Sequence, residues 1–563
     1  TLLAILGAST ALLAQRPRIP FSYIEKAGTI GSLVVADDSL DGSWTNNLVW
    51  QGDSVLHIGG GLRIDTIRPG TSDSVAIVTG VGRVDWRGAN TLGRATNRIE
   101  RSNDLYYYIV DTNYTAASNQ LADILNGDIS KVLDNTKYDS IVAAPSGYSY
   151  SVPFDIMRSS DGTYTTTVDR LEDWRDSFLF SGDTKVFIDP IRGSDSNTGS
   201  EYSRGKQFKT IKHVLDNVSY ADRVYLSPGV YRTWDGASTV AKQDLAFFPV
   251  GLGEVVIGPF TNKQLWAELD GYKNTKYSTN TSTISYLFDS ATKDEYGAWV
   301  QLDSVSTLDS VNSTENTYLY RNDTIFIHPK TAASNIEVMT NENITLSQAA
   351  GSKTLYFEGI TFYGTLMTGS GSTISAYFRD CNFFYSSKYN ATVDPADQGD
   401  QFNMYSFSEV GTYGCMFAYA WRDQANYKGS GNMFEVNNRH YFAGLEPGEP
   451  TAFHQNSTAH NSVKSVRVNG FYAYSRNENI FDTGTVESWI LGATLHGDYN
   501  KDSTTNTTSN LRIETGTIWA EGIQFGGNFD YSLYSNAGTL NVRKSPLRSD
   551  RIFKGGSATI EIY

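Results

Sequence analysis

The sequence predicts a mostly β chain whose larger part, about residues 184–530, is a parallel β-helix that grows by stacking short coils. Three observations carry this. The 563 residues include 50 Gly, 35 Tyr and 27 Phe against 14 Pro, so aromatic and β-branched runs alternate with turn formers, the mark of short strands and tight corners. A chain this long outgrows one ordinary core unless the fold extends by repetition. Finally, KTLYFEGITFYG (353–364) superposes on SAYFRDCNFFYS (375–386) with an offset of 21 residues, a length suited to one solenoid coil. GTYGCMFAYA (411–420) repeats the theme with Cys415 and Phe417 in the places of Cys381 and Phe383. Its longer offset of 34 takes an inserted loop, supplied by YNATVDPADQGDQ (389–401). The two cysteines are therefore expected in one inward column on neighbouring coils. A disulfide there is not required, and their number and spacing fit neither a disulfide framework nor a zinc site.

The elements follow in order. Residues 1–20 form an apolar tail, TLLAILGASTALLAQ and then RPRIP. It is too short to span a bilayer as a helix, and reads either as a segment that docks on a partner or as a leader. Residues 21–183 form a mixed α/β region. It has strand-like alternation in 32–38, 54–67 and 74–86, then YYYIV (106–110), and one helix over about 116–134 with Leu121, Ile124, Ile129 and Leu133 roughly on one face,. From Thr184 the coils begin. Val186–Ile188 is a strand, Gly193 to Gly199 a polar turn-rich loop, and Phe208 to Val218 an amphipathic helix able to seal the open end of the stack,. Val224–Leu226 is the next strand. Residues 531–563 are expected as a C-terminal β cap or trimerisation segment. The net charge of −15 opposes binding to nucleic-acid phosphates, and no stretch predicts a membrane span.

Two stretches carry a family resemblance. The opening at 185–232 reads strand–Asp189–Pro190, Gly193-x-Asp195-x-Asn197-x-Gly199, Phe208-x-Thr210-Ile211 and Val224-Tyr225-Leu226-x-Pro228-Gly229-x-Tyr231. It resembles the first coils of pectate-lyase-like proteins, which implies a right-handed parallel β-helix. The second stretch comprises Arg422, Asp423, Asn426 and Tyr427; Ser457, Thr458 and His460; Arg467, Val468 and Gly470; Asp482; and Ser488, Trp489, Leu491 and Gly492. It is similar to β-helix modules of tailed-phage tail spike and fibre proteins. Lys428 and Asn461 stand where that pattern has His and Asp. Both changes remove groups that shuttle protons near neutral pH, which weighs against catalysis there.

Four constellations are candidates for chemistry. Arg422, Asp423, Asn426, His454, His460, Asn461, Arg467 and Asp482 become neighbours if coils stack. They form either a glycan cleft, with Tyr427, Tyr441, Tyr472, Tyr474 and Trp489 as stacking faces, or buried polar ladders that hold irregular coils together. Asp394, Asp397 and Asp400, with Glu409 nearby, give the paired carboxylates that glycoside hydrolysis needs. Lys388, Arg422 or Lys428 would be the base of a lyase; the alternative is a solvated acidic loop. Asp195 and Asn197 place oxygen ligands at alternating positions before Gly199, which makes calcium the candidate cation, but the terminal Glu of a calcium loop is absent and an Asx-rich turn fits as well. His454 and His460 lie six residues apart, a spacing that rules out a helical metal pair. No cofactor is otherwise implied.

Three functions follow from different classes. The first is a virion tail appendage that binds host surface glycan. The resemblance implies a homotrimer, fixed to other tail or baseplate proteins through the N-terminal region. The second is a polysaccharide lyase or glycoside hydrolase on the same coils. The third is an exported bacterial surface adhesin, secreted or held at the cell surface.

Overall fold

The computed structural model describes residues 140–563, apart from 233–239, 242–243, 349–351, 369–372, 388–398, 446–453, 498–507 and 548, and three strands before or at the start of this range, Ser74–Ala76, Ile109–Asp111 and Tyr138–Ile141. Residues 1–139 and 140–563 are separate compact units. In the first, Ser74–Ala76 pairs antiparallel with Ile109–Asp111. The apolar tail and the helix expected over 116–134 lie outside the described residues.

The second unit is a parallel β-helix with three sheets along its length. Among the described residues the first has twelve strands, from Lys185–Ile188 to Thr559–Ile562; the second has nine, from Gly229–Tyr231 to Gln524–Gly527; the third has ten, from Val240–Ala241 to Ile552–Lys554. Coil register matches the repeat in the sequence. Phe357 pairs with Phe378 and Phe362 with Phe383, which in turn pairs with Phe417. Cys381 and Cys415 are both buried free thiols within the same apolar core. Burial and then the neighbouring Cys415 push the Cys381 thiol well above its ordinary value. The residues of 531–563 continue the parallel pairing: Tyr531–Ser535 pairs with Ile552–Lys554, and Thr539–Arg543 with Thr559–Ile562.

From Thr354–Glu358 onward, the coils turn from the first sheet into the second through one residue with positive φ: Gly359, Asp380, Gly414, Asn437, Asn469, Gly492 and Gly522 in turn. This left-handed conformation costs most side chains about 1–2 kcal/mol, and Gly, Asn and Asp accept it most readily. The next corner, from the second sheet to the third, has Gly364 on one coil and then Tyr385, Tyr419, Phe442 and Tyr474 with φ between 51° and 67°. Bulky residues rarely adopt this conformation.

The interior is built by stacking identical side chains. Phe247, Phe357 and Phe378 lie 5.0 and 4.9 Å apart, with planes within 7°. Phe362, Phe383 and Phe417 form a second column at 5.2 and 4.7 Å. The helix Ile211–Asn217 closes the end of this core. Thr210 caps it by accepting from His213 N, and Ile211, Val214 and Leu215 are buried against Val186, Ile188, Val224 and Leu226.

Two pieces of chain cover two of the three faces. Residues 142–180 form a strap on the outer side of the first sheet. Tyr148 meets Trp489 and Trp519 edge-on at 5.6 and 5.9 Å, and its hydroxyl donates to Ser465 O. Phe154 meets Phe434 at 5.2 Å. The short helix Leu171–Phe178 buries Trp174 and Phe178 against Tyr377, Tyr413 and Phe434. Arg379 donates to the carbonyls of Val168 and Asp169, and Arg175 pairs with Glu358. The second piece is an inserted lobe, residues 258–342, between the coil strands Val255–Ile257 and Asn343–Gln348. Its strands pair mostly antiparallel around Leu287, Leu302, Ile325, Ile327 and Val338. It docks Phe260, Tyr286, Phe288 and Trp299 on Tyr363 and Phe384 of the second sheet and on Tyr385 at the corner that follows it. Its hairpin Thr317–Arg321 and Thr324–His328 turns on Asn322-Asp323, both at positive φ, as a two-residue hairpin loop demands.

Candidate functional site

The third sheet is the face that neither strap nor lobe occupies, and on it the residues of the sequence motifs divide by strand parity. In Ala425–Lys428, Ala425 and Tyr427 belong to the apolar core, so Asn426 and Lys428 project outward,. Asn426 Nδ2 donates to Asp400 Oδ2 at 2.7 Å and to Asp423 Oδ2 at 3.3 Å. Gln455 N donates to Asp423 Oδ1 at 2.9 Å. One coil further, Gln455 pairs in register with Glu478 and its Nε2 donates to that carboxylate at 2.9 Å. Asp400, Asp423, Gln455 and Glu478 thus follow one another coil by coil, because Phe402 is in register with Ala425 and Ala425 with Ser457.

All three carboxyls of this row are buried, and burial raises each pKa. Asp423 is raised most clearly, by burial and then by the charge of Asp400. Asp400 is raised by burial against the opposing charges of Lys428 and Arg422. Glu478 is pushed up to about 7 by burial, against the pull of Arg512, which donates to it at 2.9 Å. Two acids joined through one amide cannot both ionise cheaply, so the Asp400–Asp423 pair holds a proton at pH values where an exposed aspartate has lost it. Around the row, Lys428 lies 5.8 Å from the Tyr405 ring. Burial, and then the charge of Lys428, lowers His460 to about 4, and its Nε2 lies 3.0 Å from Thr458 Oγ1. Burial and the charges of Arg476 and Arg422 lower His454 to about 3. Further along the face, the Arg512 guanidinium sits 5.2 Å from Phe481 and 4.6 Å from Tyr534.

The remaining motif residues lie elsewhere. Arg467 and Asp482 are 0% exposed inside the coil. Arg467 donates to both oxygens of Asp482 at 3.1 Å, to Ser457 Oγ at 3.0 Å and to Ser488 Oγ at 2.8 Å. Glu435, also 0% exposed, accepts from Tyr427 Oη, Tyr472 Oη and Ser457 Oγ and lies 3.7 Å from Arg467. Burial opposes the charge on Arg467, but Asp482 and Glu435 hold its pKa above the ordinary value. His440 stacks between Phe417 and Tyr472 at 4.4 and 4.7 Å, and burial lowers it to about 4. These residues therefore form a buried ladder and expose no face in the single chain. Trp489 is 5% exposed, beneath Tyr148 of the strap. Glu409 accepts from Tyr150 and Tyr377 under the same strap.

Asp195 accepts from Lys209 N, Thr210 N and Thr210 Oγ1, and Asn197 Nδ2 donates to Gln207 O. Both brace the loop that leads into the end helix. Among the described residues no group of three or more His, Cys, Asp or Glu side chains gathers to hold a metal ion, and no helix is long and apolar enough to cross a membrane. Asp394, Asp397 and Lys388 lie outside the described residues.

Sequence reasoning missed Glu435, His440, Gln455 and Glu478. The signal for the last two was present: they stand 23 residues apart, one coil length, and both strands enter their coils from a loop.

No family model matches the chain, and no curated protein matches it. Solved structures similar to it include a complex of XylC with xylose, 11% identical, with a TM-score of 0.34 over 65% of this chain and 70% of that one. A family 28 exopolygalacturonase from Yersinia enterocolitica is 11% identical, with a TM-score of 0.33 over 80% and 90%. The tailspike protein gp49 from Pseudomonas phage LKA1 is 9% identical, with a TM-score of 0.18 over 60% and 73%.

Proposed function

We propose that the protein is a polysaccharide-recognising β-helix of the tail-appendage kind, which presents its third sheet to host surface glycan. The observation that carries this is the division of the three faces. The strap occupies one and the lobe another, while the third displays Lys428, Tyr405, His460 and Tyr534, with Arg512 buried against Tyr534. Such a row of cation, imidazole and phenol groups suits the hydroxyls and ring faces of a sugar chain. A homotrimer would present three copies, so that modest single sites sum to firm attachment. Residues 1–139 would hold the rod to other tail or baseplate proteins, and the site of action would be the virion tail, outside the cell.

Affinity electrophoresis of the full chain in gels cast with purified capsular and lipopolysaccharide O-chain polysaccharides tests this. At least one polysaccharide should retard the protein, and Lys428→Ala should weaken that binding about tenfold, the equivalent of about 1.4 kcal/mol. Unchanged retardation of Lys428→Ala, or none for the wild type across a broad panel, would sink the reading.

A second reading, depolymerisation of the same glycan, is favoured by the Asp400–Asp423 pair. Their facing oxygens share one amide nitrogen and so lie within about 6 Å, near the spacing of an acid and a nucleophile and short of the roughly 6.5–9.5 Å that an acid and a base need to hold a water. Asp423→Asn should then abolish any shortening of the polysaccharide while leaving retardation in the gel.

A further inference from the structure

The connections that leave the first sheet after Lys185–Ile188, Arg223–Leu226 and Leu245–Pro249 enclose a cavity of about 380 Å³. The loop after Lys185–Ile188 supplies most of its wall, and this is the loop that Asp195 and Asn197 brace. Asp195 ties it to Lys209 and Thr210 at the start of the end helix, and Asn197 Nδ2 donates to the carbonyl of Gln207, one of the lining residues.

Three buried polar side chains line the cavity. Asp189, Gln207 and Ser227 are 9%, 5% and 4% exposed. Part of their hydrogen-bonding capacity is spent. Asp189 Oδ1 accepts from Ile191 N and Arg192 N, and Gln207 Nε2 donates to Ser227 Oγ at 2.9 Å. Among the described residues no group donates to Asp189 Oδ2 or to Gln207 Oε1. Buried polar side chains nearly always find a partner. The mouth is different. Tyr202, Ile191 and Leu252 stand there, 51%, 75% and 83% exposed. Arg192 and Arg204 are exposed beside them, and neither guanidinium makes an ion pair or hydrogen bond with the described residues. By contrast, Arg175, Arg232, Arg467 and Arg512 each hold a carboxylate.

We propose that this cavity binds an anionic sugar residue, its charge held by Arg192 and Arg204 at the mouth and its hydroxyls by Asp189 and Gln207 within. The acceptors select the first half of that description. A carboxylate oxygen and an amide oxygen receive hydroxyl protons, and an apolar ligand would leave both buried without a donor. The Tyr202 ring and the aliphatic lips offer apolar surface to the C–H face of a pyranose. The arginines select the second half. Guanidinium groups grip carboxylate or phosphate oxygens bidentately. In a chain of net charge −15, two unpaired guanidiniums at one mouth mark an anionic ligand. Asp189 lies at the buried end, where the hydroxyls and not the charge are placed. Small-molecule sites run from about 300 to 1,000 Å³, so the cavity suits the end or a branch of a glycan better than a long run of it. The natural source of such a sugar rests on the glycan reading above, to which this site adds a second contact away from the third sheet.

Ligand-observed NMR titrations of the full chain test the site with D-glucuronic acid, N-acetylneuraminic acid and glucose 6-phosphate, and with D-glucose as the uncharged control. At least one anionic sugar should bind at least tenfold more tightly than glucose, and the tightest of the three tells a carboxylated ligand from a phosphorylated one. Replacing both Arg192→Ala and Arg204→Ala should lower that affinity at least tenfold, and Gln207→Met should lower it at least fivefold. Lys428→Ala, on the third sheet, should leave it unchanged. The two arginines are exposed, so their loss should keep the melting temperature within a few degrees of the wild type. If the anionic sugars bind no better than glucose, or bind the doubly substituted chain like the wild type, the site is overturned, whatever the polysaccharide gels show. If the doubly substituted chain sediments as a smaller species than the wild type, the rim is a contact between copies of the chain and the site is overturned. If the anionic sugars bind as expected and no polysaccharide retards the wild type, the third-sheet reading falls and this site stands.

Discussion

The coils around Phe357, Phe378, Phe383 and Phe417 and the coils around Glu435, Arg467 and Asp482 occupy the same rod yet solve burial in opposite ways. In the former, like stacks on like, and the interior is rings at 4.7–5.2 Å. In the latter the same inward positions hold a carboxylate, a guanidinium and a second carboxylate, each 0% exposed. The change occurs within one column: Phe362, Phe383 and Phe417 are followed by His440 and Tyr472, and the apolar order returns at Leu495. An apolar coil tolerates imperfect partners, because dispersion and burial act without direction. A charged coil is stable only when every lone pair and proton is met, which is why Ser457, Ser465 and Ser488 gather around Arg467.

The sharpest way to break the comparison is to remove one member of the charged set. Arg467→Leu leaves Glu435 and Asp482 buried without their cation and should lower stability by about 3–5 kcal/mol in urea denaturation. Phe383→Leu, a change of shape in the apolar coils, should cost about 1.5 kcal/mol or less. Replacing Glu435, Arg467 and Asp482 together with leucine should recover most of the loss, because no charge is then stranded. If Arg467→Leu is no worse than Phe383→Leu, the two regions do not differ in kind.

The same contrast explains how much the sequence disclosed. Phe357 and Phe378 announce a coil because like side chains repeat at a fixed interval, and the Cys381–Cys415 column followed from that interval. The amphipathic run that became the helix Ile211–Asn217 was equally plain. The strap and the lobe were hidden, because their partners are remote: Asp169 O accepts from Arg379, and Tyr148 meets Trp489. The lobe did leave one local mark, Asn322-Asp323 between two alternating runs. For the candidate site, the tail-module residues Arg467 and Asp482 marked a buried ladder rather than a surface. Asp482 lies two residues from Ile480 on one strand face, a parity visible in the sequence. Asp400, Asp423 and Asn426 do come together, but their partners Gln455 and Glu478 required the register.

A smaller effect separates the acidic row of the third sheet from the charged ladder. Glu478 is raised from its ordinary 4.5 to about 7 by burial, despite Arg512. Between these values the folded chain keeps the proton that the unfolded chain has released. The stabilisation is therefore complete below about 4.5 and is lost as pH rises through about 7,. At about 1.4 kcal/mol per pKa unit, the wild type should lose up to about 3 kcal/mol over this range relative to Glu478→Gln, which has no proton to release. Thermal melts of both proteins between pH 4.5 and 8 read the difference, and it isolates Glu478 because the histidines are common to both. Parallel pH profiles would show that Glu478 is ionised in the folded chain like an ordinary surface acid.

The smallest effect lies at the corner between the first and second sheets, where the two regions also choose different residues. The apolar coils use Gly359, Asp380 and Gly414, whereas the charged coils use Asn437 and Asn469. Asn469 Nδ2 donates to Asn437 Oδ1 at 3.2 Å, so the charged coils add a side-chain rung where the apolar coils rely on backbone freedom. At Gly414, φ is 61° and an added Cβ would stand 2.6 Å from Asp380 Oδ1. Gly414→Ala should therefore lose about 1–2 kcal/mol, the cost of the left-handed conformation together with displacement of the Asp380 carboxylate. Gly414→Asn should lose less, because asparagine enters that conformation more readily and its amide can donate to Asp380 as Asn469 donates to Asn437. Equal losses for the two variants in urea denaturation would show that steric crowding against Asp380, and not backbone conformation, sets the residue at this corner.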